Sequence, residues 1–287
     1  MRILITGSAG MLGQDLAAAA ADEHHEVVAL TRSQLDITDG RAVDAAVRGA
    51  HPELVINCAA WTNVDGAQAS AEAAHKVNGA GAGNVARAAC GAGAWTIQIS
   101  SDYVFDGTKT EPYLESDPVA PKSVYGASKL AGERAVADAA RARHTIVRSS
   151  WLFGAGGPCF PATIMRLAAE RDRLTVVADQ FGCPTSTAHL ARGLLELASG
   201  PGDPPLGILH VAGGGQCSWF EFADQIVAGA GIDCEVAPVT TAEFPRPAPR
   251  PAYSVLRSER GAAAPVLPDW RQGLTEFLAR TAKVSSV

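Results

Sequence analysis

Apolar residues fall into short runs over the first half of the chain, at residues 2–6, 26–30, 54–57, 94–100 and 144–148. Runs of this length, bounded by turn residues, read as buried strands. The stretches between them are alanine-rich and helix-spaced. They run from residue 11 to about 21, over 40–49 with Asp39 as cap, over 71–90, and over 124–141. Pro112, Pro118 and Pro121 exclude regular helix from the connection before the last of these. Strands alternating with helices predict an α/β fold with a doubly wound parallel sheet over residues 1–150.

After Trp151 the rhythm weakens. Helices are expected over 162–170, 186–199 and 270–281, and a strand over 207–211. Ser218 and Glu221 have the spacing of a capping box, opening a helix to about residue 230. Residues 245–251 form a proline-rich loop. Residues 174–178 read as a sixth strand returning to the sheet, so that 174–198 would rejoin the first domain. Residues 151–287 are otherwise expected to build a smaller α/β lobe that closes over the sheet and binds substrate.

Gly7, Gly10 and Gly13 stand between the first strand and the first helix. Glycines at this spacing permit a tight turn, close approach of backbone amides to a pyrophosphate, and close packing of helix on strand. The helix N-terminus then faces the phosphates. The first domain is therefore read as a Rossmann dinucleotide-binding domain. Ligands of such sheets sit beyond the carboxyl ends of the strands, where Gly7, Thr31, Ala60 and Ser101 converge. An acidic residue at the end of the second strand favours NAD; here the position holds Thr31 and Arg32. NADPH is expected to serve at least as well as NADH, with Arg32 on the 2′-phosphate; the other reading has Arg32 in solvent. Asp36 and Ile37 would flank the adenine, unless Asp36 is only a turn residue.

Tyr125 and Lys129 lie one turn apart on the predicted helix over 124–141, on one face. A phenol titrating near ~10 is a poor acid at neutral pH. A neighbouring ammonium is expected to lower that value, so that Tyr125 can protonate an oxygen gaining negative charge. Ser101, just past the fourth strand, is placed to hydrogen-bond the same oxygen. This is equipment for ketone reduction, given a source of hydride. The alternative is an exposed pair without chemistry.

Composition narrows the partners. The net charge of −6 lacks the basic footprint of a nucleic-acid binder. Six widely spaced cysteines, with no Cys-x-x-Cys, fit reduced thiols, and the scattered histidines offer no metal-ligand spacing, so no metal is expected. No apolar run reaches membrane-spanning length and no signal peptide is read at the N-terminus. A cytoplasmic location is expected.

With both motifs in place, the chain resembles the extended short-chain dehydrogenase/reductase superfamily, and more closely the dTDP-4-dehydrorhamnose reductase family. The likeness is carried by residues 3–13, 35–39, 57–65, 100–107 and 124–133, and again by 179–185 and 250–256. It implies NAD(P)H-dependent reduction of the 4-keto group of a dTDP-linked 6-deoxyhexose. By the resemblance, Tyr125 is the proton donor and Lys129 lowers its pKa and holds the nicotinamide ribose. Gly10, Met11, Leu12, Asp36, Ile37, Ala60, Trp61 and Thr62 line the cofactor. Ser101, Asp102, Tyr125 and Trp151 meet the substrate. Ser101 stands where the family usually has threonine. Gly66 and Gln68 stand where acidic or other polar residues are common, which weakens any bridging-metal role. The oligomer is left open between monomer and homodimer.

Three rivals share the fold. A dehydratase or epimerase would recycle a bound cofactor, and Tyr103 rather than an acid follows Asp102. A non-catalytic NADP-binding subunit, similar to that of methionine adenosyltransferase, would not need an intact Ser101, Tyr125 and Lys129. A reductase of antibiotic deoxysugars would use the same residues on another sugar.

Overall fold

The computed structural model describes residues 1–140, 143–200 and 205–284. The first half contains β1 (Arg2–Thr6), α1 (Met11–Asp22), β2 (Glu26–Leu30), α2 (Gly40–Ala50), β3 (Leu54–Asn57), α3 (Val64–Ala69), α4 (Ala71–His75), a π-helical turn (Lys76–Gly81), α5 (Ala82–Gly91), β4 (Trp95–Ser101), α6 (Val124–Ala140) and β5 (His144–Ser149). The predicted last residue of α6, Arg141, lies outside the described residues. Then follow β6 (Leu152–Phe153), α7 (Phe160–Ala169), β7 (Arg173–Val177), β8 (Phe181–Gly182), β9 (Thr185–Ser186), α8 (Thr187–Ser199), β10 (Gly207–His210), β11 (Cys217–Ser218), α9 (Trp219–Ala230), β12 (Glu235–Val239) and α10 (Trp270–Val284).

Six strands form the main sheet in the order β10-β5-β4-β3-β1-β2, every pairing parallel. The inner strands β3, β4 and β5 are buried at every position, as expected of a parallel sheet covered on both faces. One face packs Ile3, Ile5, Leu54 and Ile56 against Leu16 of α1 and Leu190 and Leu194 of α8. The other packs Leu4 and Val55 against Val43 and Val47 of α2 and Val85 of α5. A third cluster, around Phe153, Phe222, Trp270 and Phe277, forms the core of the second half of the chain.

Two element assignments are corrected. The strand at 174–178 does not return to the main sheet. It is β7, which pairs with β12 in a sheet of its own, while β10 supplies the sixth strand. The physical sign is in β7 itself: Leu174 and Val176 are buried while Arg173 and Thr175 are exposed, so it has one core face rather than two. The neighbouring α8 does join the main sheet, packed on α1. The single helix over 71–90 is instead α4, the π-turn and α5. The wider turn carries buried Asn78, and two glycines, Gly79 and Gly81, lower the local preference for α-helix. The capping box on Ser218 and Glu221 is present as predicted.

Candidate active site

The reversal of strand order lies between β1 and β3, and the crevice opens there. Gly7 turns the chain with φ +67°, a conformation that favours glycine. A Cβ on Gly7 would lie 2.6 Å from the Ala59 nitrogen, and one on Gly13 would lie 2.5 Å from the Gly7 carbonyl oxygen. The loop is therefore packed to backbone contact against the next strand's end. Gly7, Gly10, Met11, Leu12, Gly13, Ala60, Thr62, Tyr125 and Lys129 all line one cavity of about 250 Å³. Residues 156–158 form its far wall, and Gln14 ties that wall to the glycine loop by donating to the carbonyls of Ala9 and Gly156.

The other expected cofactor residues lie outside this cavity's wall. Thr31 ends in a small network in which its backbone N–H and hydroxyl both donate to Gln34 Oε1. Arg32 is exposed beside it. Asp36 accepts from the Thr38 N–H, and these bonds hold its carboxyl below the usual range. Ile37 is buried in the α2–α5 core. Trp61 is half-buried and held through its backbone, its N–H donating to Asn78 Oδ1 and its carbonyl accepting from Asn78 Nδ2.

Helix α6 is fixed from four sides. Gln68 Oε1 accepts from the Val124 N–H, and Ser123 Oγ accepts from the Gly126 N–H, satisfying donors of the first turn. Asn78 Nδ2 donates to Ser128 Oγ, which donates to the Tyr125 carbonyl. A Cβ on Gly132 would fall 2.1 Å from the Asn78 carbonyl oxygen, so helix and π-turn touch along their backbones. Lower down, Glu133 takes a two-pronged ion pair from Arg148, both buried.

On this scaffold Tyr125 and Lys129 face the crevice. Lys129 Nζ donates to the Ile99 carbonyl at 2.7 Å, in a buried setting. Burial pulls its ammonium down to about 8, against the opposing pull of Glu133. Burial pushes the Tyr125 phenol up to about 12; a hydrogen bond with Ser101 works the other way, and the Asp102 charge adds to the rise. The expectation that Lys129 lowers the phenol's pKa is thus corrected for this structure: desolvation dominates at both groups, and the lowering influence on the phenol comes from Ser101.

Ser101 Oγ donates to Asp102 Oδ1 and accepts from the Tyr103 N–H. Asp102 is buried, and burial raises its carboxyl to about 6 despite hydrogen bonds from Ser254, Ser101 and Ser150. Trp151 adopts φ +47° and stacks on Trp219 with centroids 3.4 Å apart, while Gly182 leaves room for its indole.

Residues 1–283 match the RmlD substrate binding domain family. The chain belongs to that family. Among its relatives, the dTDP-4-dehydrorhamnose reductase of Streptomyces griseus is 45% identical over 96% of this chain and 92% of its own length. A probable dTDP-4,6-dihydroxy-2-methyloxan-3-one 4-ketoreductase of Streptomyces antibioticus is 40% identical over 96% of this chain and 94% of its own. The crystal structure of dTDP-4-dehydrorhamnose reductase from Bacillus anthracis in complex with NADP superposes with a TM-score of 0.93 at 39% identity, covering 97% of this chain and 99% of that one.

Several residues that build this RmlD-type site escape a reading of the sequence alone. Asn78 lies in a segment that passes for ordinary helix, and Gln68 stands out only as a departure from the family pattern, yet they orient the Trp61 loop and α6. Trp219 reads as an N-terminal helix residue, and only its stack on Trp151 brings it to the crevice. Among the described residues, no group of three or more His, Cys, Asp or Glu side chains is arranged to hold a metal ion, and no helix is long and apolar enough to cross a membrane.

Proposed function

We propose that this chain reduces the 4-keto group of a dTDP-4-keto-6-deoxyhexose with NADPH, converting dTDP-4-dehydro-β-L-rhamnose to dTDP-L-rhamnose. The observation that carries the reading is that Tyr125 and Lys129 line the same cavity as the glycine loop, with the Ser101 hydroxyl acting on the phenol. The crevice suits a dinucleotide: the start of α1 lines it, and Gly7 and Gly13 let the loop close to backbone contact. Gly7, Gly10, Met11, Leu12 and Gly13 would hold the pyrophosphate, and Ala60, Thr62, Tyr125 and Lys129 the nicotinamide half. The bound cofactor supplies hydride to the carbonyl carbon.

This chain's residues do the rest. Tyr125 gives its proton to the carbonyl oxygen as negative charge gathers there, and a phenol raised by burial arrives protonated. Ser101 steadies that oxygen by turning its one hydroxyl proton to it from Asp102 Oδ1. Lys129 keeps positive charge beside the phenolate that remains. A second cavity of about 500 Å³ adjoins the site; Tyr103, Phe160, Trp219 and Phe244 line it together with Arg246 and Arg250. Aromatic faces suit a base and guanidinium forks suit a diphosphate, which favours a nucleotide-linked sugar over a free one. Arg32 is assigned to the adenosine 2′-phosphate, making NADPH the working cofactor and NADH the lesser one. A related 4-keto sugar of antibiotic deoxysugar pathways is the second reading, favoured by the Streptomyces antibioticus relative.

The test is to supply dTDP-4-keto-6-deoxyhexoses, follow NADPH absorbance, and assign the product by NMR. Absence of NADPH oxidation across such substrates would overturn the proposal and leave a binding role.

A further inference from the structure

Asp65 opens α3, just after the 60–62 segment on the cofactor side, yet its partners come from 181 and 185 residues downstream. Its Oδ2 accepts from Nε and Nη2 of Arg246, at 3.1 and 2.6 Å. Its Oδ1 accepts from Arg250 Nη1 and from the Ala248 N–H. The segment it grips carries proline at 245, 247, 249 and 251. Prolines have no N–H, so this strap cannot be held by a backbone ladder. Ala248 has one of the strap's few N–H groups, and Asp65 takes it.

The strap matters because of where its arginines stand. Arg246 and Arg250 both line the 500 Å³ cavity beside the catalytic groups. Arg250 also stands close enough to Tyr103 to act on its phenol, and the Tyr103 ring meets the Tyr125 ring edge-on at 5.6 Å. A guanidinium presents five donors in a fixed fork, and Asp65 engages only some of them. The trio keeps a net positive charge, with the two forks held side by side.

We propose that Asp65 is a positioning residue for substrate: it staples the proline strap so that Arg246 and Arg250 receive an anionic diphosphate in a preset geometry. This rests on the nucleotide-sugar reading above and says which residue prepares the site for the phosphates. Simple charge counting predicts the opposite effect of removing Asp65, because a lost carboxylate would leave the arginines freer to bind an anion. The sign of the change therefore separates positioning from mere neutralisation.

The experiment uses the full-length protein and the variants Asp65→Asn and Arg246→Gln. Binding of inorganic pyrophosphate and of dTDP is measured by calorimetry, and kcat and KM with the 4-keto sugar nucleotide. Asp65→Asn should weaken pyrophosphate and dTDP about tenfold and raise the sugar-nucleotide KM to match, with kcat within about threefold and NADPH affinity within about twofold. Arg246→Gln, at a half-exposed position, should weaken the same anions without lowering the melting temperature. Combining the two should add little. Unchanged or tighter pyrophosphate binding in Asp65→Asn overturns the proposal, as does a parallel loss of NADPH affinity. If the anion effects appear but no dTDP-4-keto sugar is reduced by the wild type, the functional reading fails while the staple stands.

Discussion

Ser101 Oγ lies 2.9 Å from Asp102 Oδ1 and donates to it, so the hydroxyl next to the Tyr125 phenol is oriented by a buried carboxylate. The second oxygen of Asp102 accepts from Ser150, the residue before Trp151. One side chain thus joins the end of β4 to the loop carrying Trp151.

Asp102→Asn should become more stable relative to the wild type as pH rises. The folded carboxyl is raised to about 6 from an ordinary 3.8, so between those values the folded state holds the extra proton. Stability tied to that proton is full below the unfolded value and lost as pH climbs through about 6. The ceiling on the effect is of the order of 3 kcal/mol. Melting temperatures of both proteins between pH 4 and 8 test it; a constant difference would contradict the raised carboxyl.

Tyr125→Phe should lower kcat by roughly 10²–10⁴-fold, the usual scale for a lost general acid, with the melting temperature nearly unchanged. Near-normal turnover would remove Tyr125 from the proton-transfer step.

The basic limb of the pH–rate profile should belong to Lys129. Tyr125 is pushed up to about 12 and stays protonated, whereas Lys129, pulled down to about 8, loses its charge first. Activity should fall as pH rises through about 8, and Lys129→Met should be slow at every pH without that limb. A limb near 10 or above in the wild type would point to the phenol instead.

Arg32→Ala should cut kcat/KM with NADPH by about tenfold or more and leave NADH nearly untouched, the scale of one charged hydrogen bond to a phosphate. Equal losses with both cofactors, or none, would put Arg32 in solvent.

Gly132→Ala should destabilise by at least about 2 kcal/mol, since the new methyl would meet the Asn78 carbonyl at 2.1 Å and backbone cannot step aside easily. Gly91→Ala, with open space around it, serves as the control. Denaturant unfolding of the two variants would show the contrast or refute it.

Much of this protein was readable before any tertiary structure. Apolar runs marked β1 to β5: β1 and β3 to β5 because strands buried on both faces must be largely apolar, and the edge strand β2 by its apolar run over 27–30 although it is only partly buried. The glycine spacing and the Tyr125–Lys129 pair were legible because each depends on local geometry: a turn too tight for a Cβ, and one turn of helix. Contacts between distant segments were not. No local pattern says that β7 pairs with β12 instead of entering the main sheet, since strand periodicity records how many faces are buried and not the partner. The π-turn that aims Asn78 inward, the Trp151–Trp219 stack, and the grip of Asp65 on Arg246 and Arg250 bring together residues from 17 to 185 positions apart. The direction of the pKa shifts belongs with these. Sequence spacing placed Lys129 one turn from Tyr125, but only the packed structure decided that both would lose water and that this loss would set the direction of both shifts.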